Sequence, residues 1–481
     1  MLDAQCLRFV IEIYLLFVIK KPCKITICTI YQPCKITSIQ YKNKVAMERN
    51  INIKLVKWKT NKFRKPLIIR GARQVGKTYS VCEFGKNHFE KFIRLDFERD
   101  RSVHRIFEGD LSTEKLIMEI EIHAYTRIFP GKTLLFFDEI QDCERALLSL
   151  RYFYEEVPEL HVIAAGSMLE FALGKISFPV GRISFEWMRP MVFHEFLVAS
   201  GKEILADRLP FISDFRPVSE TVHIKITEQL RIYLLTGGMP EAVKRYCLTR
   251  SLEESFAVHE EIYQSYPQSL VKYYRRADID SLNHLMRTVP SHVGTQIKYT
   301  RLDPDRRIEK TKKSLQILEK ALLLHIVRSA DASGLPLYAN ASAKVIKPLF
   351  LDVGLMQHIC GVNPSEVLKA KDLSNIYKGS VTEQFVGQEL LAAGGSENFK
   401  IFYWSRAKKS SSAEVDYLYA KNGEIFPIEV KSGPAGKLRS LHIFLKEHPN
   451  IKKGYILSPV AFEKQHVDQL IFMPVYTKFD I

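Results

Sequence analysis

The sequence predicts an α/β chain: a parallel-sheet core, then a mainly helical middle, then a second, smaller α/β unit. Three patterns carry this. Between residues 66 and 165, short apolar runs alternate with helical stretches at the spacing of strand–helix–strand units. From about Glu220 to Tyr274 the helical period dominates. From Glu414 to Val430 two alternating runs flank Asn422-Gly423, the strongest short signal for a β-hairpin.

The 481 residues suggest about three domains. A hydrophobic share of 46% with 26% charged residues is that of globular domains with real cores. Residues 47–215, 216–340 and 341–481 are the expected divisions. The formal net charge of +16 favours a polyanionic partner, and nucleic acid, DNA first, is the expected one. Cysteine usage points to a reducing compartment, so the cytoplasm is the expected location. Cys6, Cys23, Cys28 and Cys34 crowd near the start, and Cys82, Cys143, Cys247 and Cys360 are scattered without metal-ligand spacing.

Residues 1–46 differ in character from the rest of the chain. Leu7 to Ile19 is apolar but holds Arg8 and Glu12 and is short for a membrane span. No small-residue cleavage site comes after it, which argues against a secretory signal. Pro22-Cys23-Lys24-Ile25-Thr26 recurs as Pro33-Cys34-Lys35-Ile36-Thr37. Met47 is the expected start of the folded chain, with a non-native or disordered extension upstream; a weak membrane anchor is the alternative. Met47 opens a helical segment with Ile51, Ile53, Leu55, Val56 and Trp58.

The buried-strand run Pro66 to Ile69 then meets Gly71-Ala72-Arg73-Gln74-Val75-Gly76-Lys77-Thr78, a complete phosphate-binding loop, and a helix is expected from Tyr79 onward. Its backbone N–H groups form an anion nest, Lys77 can reach terminal phosphates, and the Thr78 hydroxyl can sit on Mg²⁺. Lys91 to Phe97 is a second strand signal, and Thr113 to Ile128 a helix. The apolar strand from Thr133 ends in Asp138-Glu139. Asp138 is the expected magnesium ligand and Glu139 the base that polarises the attacking water. ATP with Mg²⁺ is therefore the expected cofactor pair and ATP hydrolysis the expected reaction. A further strand, Leu160 to Ala165, delivers Gly166-Ser167 to the same sheet edge. Ser167 either senses phosphate and orients water or caps the next helix.

In this order, with Pro179-Val180-Gly181-Arg182 and Phe193-His194-Glu195-Phe196-Leu197, the motifs resemble a prokaryotic group within the AAA+ ATPases. Its members join an ATPase domain to a C-terminal domain of unknown function, and the likeness runs from about Met47 to the end. The resemblance implies a P-loop AAA+ parallel-sheet core. It also implies that Arg182 lies near the nucleotide as a charge-stabilising group; a structural arginine in a basic loop is the alternative. Should Arg182 act across a subunit interface, the site needs a homo-oligomer. Gln141 fits the group's acid-acid-x-Gln pattern as a site-shaping residue. Gly237-Gly238-Met239-Pro240 resembles its lid region, which would cover the nucleotide; by itself it reads as a turn.

Residues 281–339 resemble a winged-helix module: a helical stretch from Asp305 to Leu324, then a hairpin from Val327 to Tyr338. Arg306, Arg307, Lys310, Lys312 and Lys313 would attract phosphate, or simply solvate a basic face. In the C-terminal part, Asp416 on one hairpin strand and Glu429-Val430-Lys431 on the other form the pattern of the PD-(D/E)-x-K nuclease fold, with Glu383 on an upstream helix as a third acid. The resemblance implies a restriction-endonuclease-like domain in which Glu383, Asp416 and Glu429 hold a divalent metal and Lys431 stabilises developing charge. Three functions fit: an ATPase coupled to nucleic acid, an ATP-controlled protein-interaction switch whose nuclease-like domain is silent, and an ATP-regulated metal-dependent endonuclease.

Overall fold

The computed structural model describes residues 47–167, 169, 181–214, 217–273, 278–369, 379–396, 399–406, 413–433, 438–459 and 466–481. The readings placed on residues 1–46, on Pro179-Val180 and on a helix directly after Ser167 lie outside these residues, apart from Leu169.

The first sheet is parallel throughout. Strands β1 (Leu67–Arg70), β2 (Lys91–Asp96), β3 (Thr133–Asp138), β4 (His161–Gly166) and β5 (Ser184–Trp187) lie in the order β2-β3-β4-β1-β5. Every residue of β1, β3 and β4 is buried, because helices cover both faces of a parallel sheet. Helix α1 (Ile51–Thr60) precedes β1, and α2 (Lys77–His88) leaves the phosphate loop. Helix α3 (Thr113–Ala124) ends short of the expected Ile128 because Tyr125 turns left-handed, with φ of 48°. Helix α4 (Glu144–Glu156) leads into β4, and α5 (Phe193–Ala199) comes after β5. Since all five strands run the same way, their carboxyl ends share one edge, where the phosphate loop, Asp138 and Ser167 collect.

The middle is helical as expected: α6 (Glu220–Thr236), α7 (Pro240–Thr249), α8 (Leu252–Tyr273), α9 (Ile279–Thr288) and α10 (Ile308–Lys320). The hairpin expected from Val327 to Tyr338 is corrected. Its strands are β6 (Leu324–Ser329) and β7 (Ser342–Phe350), paired antiparallel across a longer connection. They are not a free wing: β6 pairs in parallel with β8 (Phe402–Ser405) and joins the C-terminal sheet. The expected division at residue 340 thus falls between two strands of one hairpin.

That second sheet also holds β9 (Glu414–Lys421), β10 (Glu424–Val430), β11 (Gly454–Ser458), β12 (His466–Val467) and β13 (Leu470–Pro474), in the order β12-β13-β11-β10-β9-β8-β6-β7. The turn between β9 and β10 is the expected Asn422-Gly423, both left-handed at φ of 52° and 83°. Helices α11 (Val353–Ile359), α12 (Gly379–Gly394) and α13 (Arg439–Glu447) accompany the sheet. One core runs from the first sheet into the second: Phe193 of α5, Tyr233 of α6 and Phe385 of α12 stack edge to face or tilted, with centroids 5.5–6.2 Å apart. Among the described residues no helix is long and apolar enough to cross a membrane.

Candidate functional site

The phosphate loop continues directly from β1. Gln74 and Gly76 take positive φ (63° and 93°), which turns the chain tightly into α2. A Cβ on Gly71 would lie 2.3 Å from the Met188 carbonyl oxygen, so only glycine lets the loop approach the residue after β5 this closely. The Lys77 ammonium is buried and donates to the carbonyls of Gly71 (2.9 Å) and Ala72 (2.8 Å). Burial pushes its pKa down to about 8, against the pull of Glu139 and Asp138. This cation lacks a full counter-charge within the loop, and a phosphate would supply it.

Thr78 donates to Asp138 Oδ1 at 3.1 Å, joining the loop to the end of β3. Burial raises the Asp138 pKa, opposed by Arg94, whose guanidinium lies 2.7 Å from Asp138 Oδ2 and 2.6 Å from Asp96. Glu139 leaves the strand in a left-handed conformation, φ 50°, which turns its carboxylate toward β4. There Oε2 accepts from Gln141 Nε2 (2.6 Å) and the Ser167 hydroxyl (3.2 Å). A Cβ on Gly166 would sit 2.1 Å from Gln141 Oε1, so this cluster requires glycine before Ser167. Lys77, Thr78, Asp138, Glu139 and Ser167 therefore share one sheet edge. Thr78 and Asp138 are the oxygen donors that fit Mg²⁺ accompanying a nucleotide, and the loop with Lys77 fits its phosphates.

Arg182 is not brought to this edge, which corrects the expectation for the chain's own loop. Ser184, two residues on, pairs with Leu67 at the start of β1, whereas the loop lies beyond its end. The Arg182 side chain pairs instead with Glu155 of α4.

Two cations that sequence reasoning missed shape the site. Arg94 holds Asp138, and Arg49 holds the loop from behind. Buried Arg49 donates to the carbonyls of Val75 (2.8 Å) and Arg189 (2.7 Å) and pairs with Glu195 at 3.1 Å. Their partners lie 26 to 146 residues away in sequence for Arg49 and 44 for Arg94 and Asp138, so no local pattern marks them. Helix α8 covers the tip of the loop. Tyr266 donates to the Arg73 carbonyl at 3.2 Å, Arg73 donates to the Ser269 hydroxyl, and Gln74 reaches Ser265 at 3.4 Å. The Gly237-Gly238-Met239-Pro240 turn packs beside it: a Cβ on Gly76 would be 3.4 Å from Pro240 Cγ.

In the C-terminal unit the predicted acids do converge, but around a residue the sequence did not single out. Lys347 of β7 places Nζ 2.7 Å from Glu383, 2.8 Å from Glu414 and 3.1 Å from Asp416. Burial opposes its charge, yet Asp416, Glu383 and Glu414 together hold its pKa well above the usual lysine range. The second Asp416 oxygen accepts from the Val430 N–H at 2.8 Å. Lys431 pairs with Glu429 at 2.6 Å. Burial, reinforced by Asp416, raises Glu383 to about 8 and Glu429 to about 7. The expected metal set is thereby corrected: among the described residues no group of three or more His, Cys, Asp or Glu is arranged to hold a metal ion.

Comparison with known proteins finds three matched segments, of which the second includes β6 and β7 of the C-terminal sheet. Residues 63–197 match an AAA domain, residues 227–366 a domain of unknown function (DUF8612), and residues 378–477 another (DUF4143). Nothing among curated proteins matches the chain. Similar solved structures include a Walker-type ATPase of Pyrococcus abyssi, at 14% identity over 65% of this chain and 96% of that one, TM-score 0.40. The Thermotoga maritima RuvB Holliday junction branch migration motor matches at 10% identity over 58% and 89%, TM-score 0.29. Aeropyrum pernix ORC1 in complex with DNA matches at 10% identity over 66% and 92%, TM-score 0.26. The matched segment and the loop at its sheet edge define the class: the first sheet is the core of an AAA-type P-loop ATPase domain.

Proposed function

We propose that this chain hydrolyses ATP and that its nucleotide state controls engagement of nucleic acid, DNA in the first instance. The observation that carries the hydrolytic part is the 3.1 Å contact between Thr78 and Asp138, which unites the phosphate loop with the acidic strand end. Lys77 and the loop N–H groups hold the phosphates, and Thr78 with Asp138 holds Mg²⁺. The metal, when bound, neutralises charge on the β- and γ-phosphates. Glu139 accepts the proton of the attacking water, and Ser167 and Gln141 fix its carboxylate for that task.

Support for the nucleic-acid part is the net charge of +16. Support for coupling is a continuous set of contacts from the loop to the C-terminal half. Pro240 lies beside Gly76 of the loop, 3.4 Å from where a Cβ there would stand; Gly238 donates its N–H to Asp352 at 2.6 Å, and Asp352 caps α11 through Gly354 and Leu355 at 3.0 Å. The Lys347-filled acid cluster favours a C-terminal unit that binds rather than cleaves. Steady-state ATP turnover measured with a panel of single- and double-stranded DNA and RNA tests the proposal. Stimulation by DNA is expected; turnover indifferent to every nucleic acid would favour a protein partner.

A further inference from the structure

The C-terminal acid cluster is built for a cation, and the chain supplies one itself. Glu383 comes from α12, Glu414 and Asp416 lie two residues apart on one face of β9, and Glu429 stands beside them on β10. A divalent metal would sit among such oxygens at about 2.0–2.6 Å. The group found there is the Lys347 ammonium, whose side chain is 2% exposed and which faces Glu383, Glu414 and Asp416 at 2.7–3.1 Å. An ammonium has three donors, and this one has three carboxylate partners. Both Asp416 oxygens are engaged, one by Lys347 and the other by the Val430 N–H. Glu429 Oε2 is buried and without a hydrogen-bond partner, a remnant of acceptor capacity that the lysine does not fill.

Lys347 is also placed by more than its charge. It lies on β7, the last strand of the sheet, and its salt bridges tie that strand to β9 and to α12. Displacing it would break two charge-assisted hydrogen bonds, to Glu414 and Asp416, and the ion pair with Glu383, all in a buried setting. We propose that Lys347 is a resident cation that stands in for a divalent metal, so that this nuclease-like cluster is a metal-free structural clamp. It rests on no part of the ATP reading.

The test is Mn²⁺ binding by calorimetry to the full chain without nucleotide, for wild type, Lys347→Ala and Lys347→Ala/Asp416→Asn, with melting curves at each Mn²⁺ level. Wild type should take up no Mn²⁺ at this cluster in the micromolar range. Lys347→Ala should melt lower, gain one Mn²⁺ site and recover melting temperature on binding; adding Asp416→Asn should abolish both gains. A folded Lys347→Ala that gains no site would overturn the proposal. So would a wild-type Mn²⁺ site that Asp416→Asn alone removes. If Lys347→Ala does not fold, that wild-type comparison decides: absence of an Asp416-dependent site supports the clamp, its presence refutes it.

Discussion

Lys77 is the residue whose surroundings most call for a ligand. It is held in a buried position by two carbonyl dipoles, with the charges of Glu139 and Asp138 nearby. Lys77→Ala removes a charged donor to the phosphates, an interaction of about 1.5–3 kcal/mol. Nucleotide affinity should therefore fall roughly ten- to hundredfold in a fluorescent-nucleotide titration; an unchanged Kd would remove Lys77 from the binding site. These roles were legible because the loop motif is local and its chemistry derives from eight consecutive residues. Lys347 was not. Its three partners lie 36 to 69 residues downstream, and a lysine in an apolar strand reads as a solvent-facing position.

At the scale of elements, the parallel sheet was legible from apolar runs that parallel strands require on both faces. β7 was not, because Lys344, Lys347 and Pro348 interrupt its alternation. Proline is tolerated there since β7 is the sheet's edge, and the lysine because three acids meet it. The turn from α6 to α7 was visible as Gly-Gly-Met-Pro, but its partner was not. Gly238 is pinned between the Met191 backbone and Asp352: its carbonyl accepts from the Met191 N–H at 2.6 Å, and a Cβ would fall 2.1 Å from the Met191 oxygen. Gly238→Ala should lower stability by about 1–3 kcal/mol, read as a drop in melting temperature. Gly334→Ala, with nothing within 4 Å of its Cβ position, is the control expected to leave it unchanged. Equal melting of the two variants would mean the turn is looser than this packing requires.

Across the whole molecule, the core that runs from Phe193 to Phe385 makes the ATPase sheet and the C-terminal sheet parts of one compact unit. Its stability carries opposing pH terms. His259 is fully buried with Nε2 2.9 Å from the Thr236 carbonyl, and burial holds its pKa down to about 3. The unfolded chain, with a histidine pKa of about 6.5, binds the extra proton below that pH, so this group withdraws stability as pH falls. Glu389, raised by burial to about 8, acts the other way, since the folded state holds its proton first. The His259 share is isolated by His259→Gln: between pH 7.5 and 5.5 the variant should gain on wild type by about 1.4 kcal/mol per pH unit below 6.5. A gap between their melting temperatures that is constant with pH would mean His259 titrates alike in the folded and unfolded chain.

The central claim is that the acids ending β3 turn a phosphate-binding loop into a hydrolytic site. Comparing ATP binding and turnover for wild type and Glu139→Gln tests it most directly. The variant should bind ATP as wild type does and turn it over at least about a hundredfold more slowly, the contribution of a general base. Turnover at the wild-type rate with binding intact would contradict the assignment of Glu139 and, with it, the proposed mechanism.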